Sequence, residues 1–484
     1  MADNRQDALG LPLAKPLDEA AIREFSSNVR GHLIRPEDDG YDEARTVFYG
    51  GFDRRPALIV RVANATDVSR VVGLARESGL ELAVRSGGHS AAGHSTTDGG
   101  IVLDLSEMKG LEIDVERRTA WAQTGLTAGE YTAAAGALGL ATGFGDTGSV
   151  GIGGITLGGG IGYLVRKHGL TIDDLLAADV VSADGELLRV DAETHPDLFW
   201  AIRGGGGNFG VATRFHYRLH QVDKIVGGML VLPATPEVIH SFVAEAEAAP
   251  EELSTIANVM PAPPMPFLPT EHHGKLVIMA LLAYAGEVEA GERAIAPFRA
   301  LATPITDMVN TMRYPEIYKL TEGAEVAEEA GRSVFLDAVD VGVAEAIVNH
   351  LQASSAQMAV AQIRVLGGAM AHVSEEATAF AHRKRQIMAA VGAVYERPEE
   401  APVHEAWVSG FAAALRQGEP GVYVNFLGEE GDARIHEAYP GSTWERLATI
   451  KGHYDPKNLF RLNQNIPPAT EGRTTREQKE TRDG

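Results

Sequence analysis

The spacing of apolar residues predicts a β-α-β unit early in the chain. Residues 57–62 are an apolar run typical of a buried strand. Apolar residues then recur between positions 68 and 75 at the interval of an amphipathic helix, with Thr66 as the candidate N-cap. Gly79 is expected to end this helix, and residues 80–84 alternate as the second strand.

Short strands and turns continue this pattern as far as residue 219. A capping box formed by Thr127 and Glu130 predicts the start of a short Ala-rich helix. The pair Asp184-Gly185 is typical of a type I′ hairpin turn, and a further helix is expected near residues 196–202. The other strands predicted here are residues 101–105, 111–115, 120–124, 178–183, 186–190 and 211–219.

From about residue 226 the glycine density falls and long helices alternate with strands, which is typical of a separate α+β domain. Its clearest predicted strands are residues 275–284, 359–365 and 422–427. One helix and a polar segment follow in residues 443–468. Residues 469–484 are a charged tail with little apolar surface to bury.

The charge balance argues against nucleic acid and anionic lipid as partners. The 484 residues include 43 Lys and Arg against 66 Asp and Glu, a formal net charge of −23. Such a surface repels phosphate groups. The apolar stretch at residues 276–284 is far shorter than the roughly 20 residues that a membrane-spanning helix needs. Because no basic segment followed by an apolar one opens the sequence, we expect a cytoplasmic protein.

Cysteine is absent, which excludes disulfides, thiolate nucleophiles and Cys-containing zinc sites. His89 and His94 share the loop RSGGHSAAGHS, but no further histidine or carboxylate stands at ligand spacing, so no metal site is predicted. Satisfied surface histidines are the alternative interpretation of this pair. The motifs of serine hydrolases, zinc proteases and P-loop proteins do not occur.

Glycine is concentrated in one tract, where residues 143–162 contain 10 of the 54 glycines. Residues 143–148 match the G-x-G-x-x-G fingerprint of Rossmann dinucleotide sites, which must open a helix. Glycines at 151, 153 and 154 each cost about 1 kcal/mol in a helix, so we predict no helix there and reject the Rossmann interpretation. The tract instead predicts turns whose N–H groups face an anion or a carbonyl-rich ring.

Four segments in a fixed order resemble one flavoprotein family. They are RSGGHS, VGIGGITLGGGIGYLVRKHGL, DLFWAIRGGGGNFGV and YDPKNLFRLNQNIPP. Together they resemble the berberine-bridge-enzyme-like branch of the vanillyl-alcohol-oxidase family, and the similarity extends over about residues 45–468.

The resemblance implies an α+β fold. An FAD-binding domain of the PCMH type, made of two subdomains, should be joined to an α+β substrate domain with a large antiparallel sheet. The expected division is an N-terminal segment, the FAD-binding domain, the substrate domain, a C-terminal segment that returns to the flavin, and the tail: residues 1–53, 54–225, 226–435, 436–468 and 469–484.

The resemblance also implies FAD as the cofactor. His89 stands where relatives bond the flavin 8α-methyl group covalently, and its neighbours would wrap the pyrophosphate through backbone amides. Residues 208–211 would lie beside the adenosine or ribityl part. The other implied cofactor-binding residues are Arg85, Ser86, Gly87, Gly88, Ser90, His94, Thr147, Val150, Gly153, Gly154, Gly158, Gly162, Asn208, Gly210, Val211, Asn463 and Asn465.

Many relatives attach the flavin a second time, through a cysteine. Thr147 aligns best with that cysteine, and the chain has no cysteine at all. The expected attachment is therefore a single bond through His89.

Three residues are implied in catalysis. Val150 aligns with a position where a small Val accompanies oxygen reactivity and a bulkier Leu or Ile its loss, although it could simply pack. Tyr423 and Asn425 match the Y-x-N element, in which the tyrosine acts as a base, and strand alternation would place both on one face. A core tyrosine bonded to backbone is the alternative. Weaker candidates for the same cavity are Tyr163, His372 and His382.

The resulting hypothesis is an FAD-dependent oxidase. Hydride would pass from an alcohol, phenolic or amine carbon to flavin N5, and electrons would then pass to O₂ to give hydrogen peroxide. A dehydrogenase with another acceptor and a non-catalytic flavin- or ligand-binding protein are the alternatives. The expected partners are a small-molecule substrate and molecular oxygen, and the oligomeric state is left open.

Overall fold

The computed structural model describes residues 17–323 and 328–469, so most of the expected tail lies outside the described residues. Within these ranges, no helix combines the length and the apolar character needed to span a membrane. The strands of the amino-terminal half are β1 His32–Ile34, β2 Leu58–Arg61, β3 Leu82–Arg85, β4 Ile101–Asp104, β5 Leu111–Asp114, β6 Thr119–Gln123, β7 Leu140–Ala141, β8 Leu175–Val181, β9 Leu187–Asp191, β10 Val211–Arg218 and β11 His220–Gln221.

Helices occur along the whole of the described chain. They are α1 Glu19–Asn28, α2 Tyr41–Arg45, α3 Ala65–Ser78, α4 Ala128–Gly136, α5 Ile152–Leu157, α6 Val165–His168, α7 Pro196–Ala201, α8 Pro236–Ala248, α9 Val288–Ala300, α10 Val341–Ala353, α11 Ala369–His372, α12 Ala401–Leu415, α13 Asp432–Ala438 and α14 Ser442–Tyr454.

The first sheet contains the predicted β-α-β unit. Its strand order is β1-β2-β4-β3, and β2 and β3 both run parallel to β4. Helix α3 begins two residues earlier than expected because Asn64, rather than Thr66, accepts a hydrogen bond from the Asp67 amide. Gly79 ends the helix in the left-handed conformation, as predicted. Strand β1 pairs with β2, so the N-terminal segment is part of this sheet.

The second sheet is antiparallel, in the order β5-β6-β10-β8-β9. The predicted hairpin between β8 and β9 is present, with Gly185 at a φ of 83° that favours glycine. The capping box at the start of α4 is also confirmed, since Thr127 and Glu130 bond each other's backbone amides.

A large antiparallel sheet forms the region that we expect to be the substrate domain, and the family resemblance implied such a sheet. Its order is β15-β12-β14-β13-β18-β19-β17, and β16 pairs with β12. Helices α8, α10 and α12 cover one face, and the other face turns toward the flavin domain. Its strands are β12 Lys224–Pro233, β13 Leu253–Pro261, β14 Leu276–Tyr284, β15 Thr306–Asp307, β16 Asn310–Arg313, β17 Glu328–Leu336, β18 Met358–Val365 and β19 Ile387–Tyr395.

Two sequence-based expectations are wrong. The glycine tract does contain a helix, α5. Gly151 and Gly153 have no side chains, so this segment can pack directly against Ser86 and Gly87, and this tertiary contact outweighs the low helix propensity of glycine. A Rossmann arrangement is still absent from the described chain at this point, since the two-residue strand β7 before α5 pairs antiparallel with β11. The expected strand at residues 422–427 is instead a 3₁₀ turn over Val424–Phe426.

Residues around Val424–Phe426 form a turn and not a strand because their backbone hydrogen bonds are local and do not pair with another strand of the described chain. The amides of Phe426 and Leu427 bond the carbonyls of Tyr423 and Val424. The apolar side chains of Val422, Val424 and Leu427 pack into the core of the flavin domain. Residues 422–427, which the expected division places in the substrate domain, therefore pack against the flavin domain.

A buried ion pair fastens the C-terminal segment to the flavin domain. The ammonium group of Lys451 lies 2.7 Å from the Asp455 carboxylate, and both side chains are fully buried. Lys451 also donates to the carbonyl of Asn208 at 2.7 Å, and Asp455 accepts from the amides of Leu459 and Phe460. Because every charge here is paired and hydrogen-bonded, burial of the two ions is tolerated.

Candidate functional site

A cavity of about 770 Å³ lies between the flavin domain and the face of the large sheet that has no helices. The loop after β3, the glycine tract and residues 206–212 form its flavin-domain wall. Strands β17, β18 and β19 form the opposite wall, and the turn that carries Tyr423 lies between the two. Segments far apart in sequence therefore meet around one space.

Backbone rather than side chains forms one wall of the cavity. Gly87 lies so close to Gly151 that a Cβ on either residue would stand 2.2 Å from the other's backbone nitrogen. The Ser86 hydroxyl donates to the Thr124 carbonyl at 2.5 Å and accepts from the Gly153 amide at 3.3 Å. These contacts hold the loop after β3 against α5, which leaves a wall of small residues open to a ligand.

His89 presents a neutral imidazole to this cavity. Its ring stacks on Phe48, with centroids 3.9 Å apart. Burial lowers the pKa of His89 to about 4, although a hydrogen bond with the Ser149 backbone works in the opposite direction. The side chain is therefore uncharged at neutral pH and held in one orientation, as a nucleophilic nitrogen requires.

His94 lies on the same cavity wall and is also neutral at pH 7. Burial lowers its pKa to about 4, the charge of Arg54 adds to this effect, and a hydrogen bond with Gln464 opposes it. The backbone amide of His94 donates to the Ser90 hydroxyl at 3.2 Å. Gln464 belongs to the C-terminal segment, so this contact joins that segment to the loop after β3.

Tyr423 and Asn425 are adjacent although they do not share a strand. The Tyr423 hydroxyl oxygen accepts hydrogen bonds from the Asn425 side chain at 2.8 Å and from the Gly160 amide at 2.9 Å. Asn425 also donates to the Ile155 carbonyl at 3.0 Å. A side chain on Gly158 would collide with the Asn425 amide, so glycine at 158 admits this pair.

Burial raises the pKa of the Tyr423 hydroxyl above its ordinary value. The hydrogen bonds from Asn425 and Gly160 and the charge of Arg364 all favour the phenolate and oppose this rise. Both donors point at the Tyr423 oxygen, so the site is arranged to stabilise negative charge there. Burial still outweighs these donors, so the net shift of the Tyr423 pKa is upward.

A buried ion pair links the glycine tract to the large sheet. Arg364 on β18 lies 2.7 Å from the Asp146 carboxylate, and its side chain is 4% exposed. The same guanidinium donates to Gln362 and to the Ile161 carbonyl, and it lies 5.2 Å from the centre of the Phe426 ring. Arg364 is thus fixed beside the turn that carries Tyr423.

Most of the sequence-predicted site residues meet at the cavity. Its wall includes Ser86, Gly87, Gly88, His89, Ser90, His94, Thr147, Val150, Gly153, Gly154, Asn208, Gly210, Val211, Tyr423, Asn425 and Asn463. Arg85, Gly158, Gly162 and Asn465 are not on the wall. The Arg85 guanidinium donates to the carbonyls of Ala44 and Thr46, and a side chain on Gly162 would strike the Phe144 carbonyl.

The three weaker candidates lie elsewhere. Tyr163 is buried between the domains and donates to the Asp146 carbonyl at 3.2 Å. His372 lies on the surface, 3.2 Å from Glu251. His382 is buried and bonds the Glu437 carbonyl through Nε2 at 2.9 Å. Each of these side chains is thus satisfied away from the cavity.

Several cavity residues were missed from the sequence. Phe48 and Tyr49 come from the N-terminal segment, where no periodic pattern singled them out. Gln362 and Arg364 could have been found, because they interrupt the apolar run of the predicted strand at 359–365. A polar pair on one face of a strand that should be buried signals either a buried network or a ligand.

Two family models match the chain. The model described as "FAD binding domain" matches residues 56–191, and the one described as "Berberine and berberine like" matches residues 422–467. The (R)-6-hydroxynicotine oxidase of Paenarthrobacter nicotinovorans is 30% identical over 459 residues, which cover 91% of this chain and 97% of that protein. An uncharacterized FAD-linked oxidoreductase of Bacillus subtilis (strain 168) is 30% identical over 460 residues, with 91% and 98% covered.

Solved structures show the same relationship. The crystal structure of 6-hydroxy-D-nicotine oxidase from Arthrobacter nicotinovorans superposes with a TM-score of 0.82 at 28% identity, covering 94% of this chain and all of that one. A chitooligosaccharide oxidase superposes with a TM-score of 0.80 at 23% identity, covering 93% and 100%. At that lower identity the likeness shows the fold alone.

The cavity residues fit FAD, the cofactor that the matching family model names. Gly87 and Gly151 form a cradle that any side chain would fill. Along the cavity wall, the Asn463 side-chain oxygen and the Tyr439 hydroxyl are buried without a hydrogen-bond partner among the described residues. Buried polar atoms normally have partners, so these two are available to a polar ligand.

We expect the substitution Gly87→Ala to destabilise the protein and to reduce its bound FAD. The new Cβ would stand 2.2 Å from the Gly151 nitrogen, and overpacking of this kind costs about 1–3 kcal/mol. Thermal unfolding and the ratio of flavin to protein absorbance measure both effects.

Gly73→Ala is the matched control for Gly87→Ala. Gly73 lies within α3, and a Cβ there would meet no atom within 4 Å, so this variant should be at least as stable as the parent and should keep its FAD content. A Gly87→Ala protein as stable and as yellow as the control would contradict the proposed cradle.

Proposed function

This chain belongs to the berberine-bridge-enzyme-like branch of the vanillyl-alcohol-oxidase flavoproteins and is an FAD-dependent oxidoreductase, and we propose that it works as an oxidase on a small molecule. The observation that carries this proposal is the Tyr423 hydroxyl, held by two hydrogen-bond donors on the wall of a cavity that also contains His89. Bound FAD supplies a hydride acceptor that can be reoxidised by O₂, with hydrogen peroxide as product.

We propose further that His89 holds the flavin through one covalent bond. Stacking on Phe48 and a pKa lowered to about 4 give a neutral, oriented imidazole. No cysteine is available for a second attachment, and Thr147 stands on the cavity wall at the position aligned with that cysteine.

The substitution His89→Ala should release the flavin. After precipitation with acid, the pellet of the parent protein should stay yellow, and that of His89→Ala should be colourless with all colour in the supernatant. His94→Ala is the control, because His94 lies on the same wall and has the same lowered pKa, and its pellet should stay yellow. An unmodified His89 peptide in the parent digest would disprove the tether.

Tyr423 is the proposed base for the substrate O–H or N–H proton. Its oxygen already accepts bonds from Asn425 and Gly160, and both donors stabilise the phenolate that proton removal needs. Arg364 contributes positive charge from the opposite wall. The chain thereby offsets part of the cost of charging a buried phenol.

The substitution Tyr423→Phe should slow flavin reduction by about 10²–10⁴-fold, the usual contribution of a general base. Anaerobic stopped-flow bleaching at several pH values measures this, with the substrate found by screening alcohols, sugars, phenols and cyclic amines. In the parent, the rate of flavin reduction should rise with pH as Tyr423 loses its proton, and this rise should disappear in the variant. Tyr41→Phe, which removes a buried hydroxyl that donates to the Pro56 carbonyl away from the cavity wall, is the control. Equal rates in Tyr423→Phe and the parent would refute the role.

The proposal that O₂ is the electron acceptor is based on Val150. In the family, a small residue at this position accompanies reactivity with oxygen. Val150 lies on the cavity wall, and its carbonyl accepts from the Ala128 amide at 2.8 Å, so its place is fixed by backbone. A longer side chain at 150 would project into the cavity and not relax away from it.

The substitution Val150→Leu should therefore slow reoxidation of the reduced enzyme in air by about tenfold or more, which corresponds to ~1.4 kcal/mol of barrier. Stopped-flow mixing of the reduced enzyme with oxygenated buffer gives the rate. Val211→Leu, on the cavity wall at the expected adenosine end, should reoxidise like the parent. Slow reoxidation of the parent itself would favour the dehydrogenase alternative.

A further inference from the structure

One carboxylate in the cavity is not used by the proposed chemistry. Glu329 lies on β17, and its side chain is exposed to the cavity. Residues 329, 331 and 333 alternate onto the same face of the sheet, and Gly331 pairs with Gly392 on β19. A Cβ on Gly392 would stand 3.3 Å from the Glu329 carboxylate, and one on Gly331 would stand 3.6 Å away. The carboxylate therefore lies across a bare glycine surface.

The Glu329 carboxylate has no hydrogen bond or ion pair with any residue that the structure describes, whereas both cavity arginines are neutralised. Arg364 pairs with Asp146 at 2.7 Å, and Arg332 pairs with Glu405 at 2.7 Å and with Glu430 at 3.3 Å. Among the described residues, the charged side chains that line the cavity are four carboxylates and two guanidinium groups: Asp146, Glu329, Glu405, Glu429, Arg332 and Arg364. The cavity thus carries an excess of negative charge.

The surroundings of Glu329 make this charge costly. Desolvation within the enclosure raises its pKa to about 7, even though water reaches the side chain through the cavity. Tyr49 offers no compensation, because burial and the charges of Glu329 and Asp146 raise the pKa of its phenol and keep it neutral. A carboxylate in such a place is stabilised by a cation that enters with the ligand.

The strand register gives the distance from this carboxylate to the proposed reacting end. Gly392, beneath Glu329, pairs with Val360 on β18. Arg364, which lies beside the turn that carries Tyr423, is four residues further along β18. At about 3.3 Å per residue, the two ends are roughly 13 Å apart. A ligand that reaches both ends must be extended.

We propose that Glu329 is a specificity-determining residue that binds a positively charged group on the substrate, up to about 13 Å from the carbon that is oxidised. This inference rests on the proposed function for the position of the reacting carbon. The Gly331 and Gly392 surface leaves room for the head group, and the carboxylate supplies its countercharge. Substrates that end in an ammonium group are the class that this geometry selects.

Binding of two isosteric probes tests the proposal without turnover. Each is a phenol with an alkyl chain, ending in trimethylammonium in one probe and in tert-butyl in the other. A series of chain lengths places the head group at distances up to about 13 Å from the ring. Dissociation constants are measured on the flavin-containing protein from the perturbation of flavin absorbance and by calorimetry. The parent should bind the charged probe at least about tenfold more tightly, a difference of ~1.4 kcal/mol.

The variant Glu329→Gln should bind the two probes equally, and Glu329→Asp should retain part of the preference. Glu429→Gln is the matched control, since it removes the same charge from another cavity carboxylate, and it should keep the parent's ratio. A parent that binds both probes equally or binds neither, or a Glu329→Gln protein that keeps the preference, overturns the proposal. The test measures only binding, so its outcome is independent of the proposed oxidase activity. An inactive protein could still show the preference for the charged probe, and an active oxidase could lack it.

Discussion

The buried pair of Lys451 and Asp455 is the interaction on which the shape of the cofactor side depends. Two fully buried charges are stable only if each finds its complete set of partners, and here those partners are backbone groups, one of which belongs to the distant Asn208. Lys451 bonds the carbonyls of Asn208 and Phe460, and Asp455 receives the amides that follow it. The C-terminal segment can occupy this position only when the loop around residue 208 is also in place.

Asn208 extends this connection into the cavity wall. Its side chain donates to the carbonyls of Gly205 and Gln464 and accepts from the amide of Ile466. Gln464 in turn bonds the Leu427 carbonyl, one residue beyond the turn at Val424–Phe426. A chain of hydrogen bonds therefore runs from a buried ion pair to the segment that carries Tyr423. The position of the proposed base is coupled to the C-terminal segment through contacts of fixed length rather than through loose packing.

The two walls of the cavity are built on different physical principles. The flavin-domain wall uses glycine, because backbone amides can approach a ligand closely only where no Cβ intervenes. The wall of the large sheet uses side chains on alternate positions of three strands, and its charges are paired except at Glu329 within the described residues. The first wall suits a cofactor of constant shape. The second is made of side chains, which can be replaced without moving the backbone.

The sequence by itself determined the features that depend on near neighbours. The β-α-β unit, the hairpin at Asp184-Gly185 and the capping box at Thr127 follow from spacing or turn chemistry, and the motifs identified the family. The prediction of a strand at 422–427 was wrong because apolar and polar residues also alternate in a turn whose apolar side chains face a core. Only the tertiary structure decided that Tyr49, Asp146, Glu329 and Arg364 share one cavity. Their meeting depends on pairing between strands and domains far apart along the chain, and no local pattern encodes which distant partner a side chain will face.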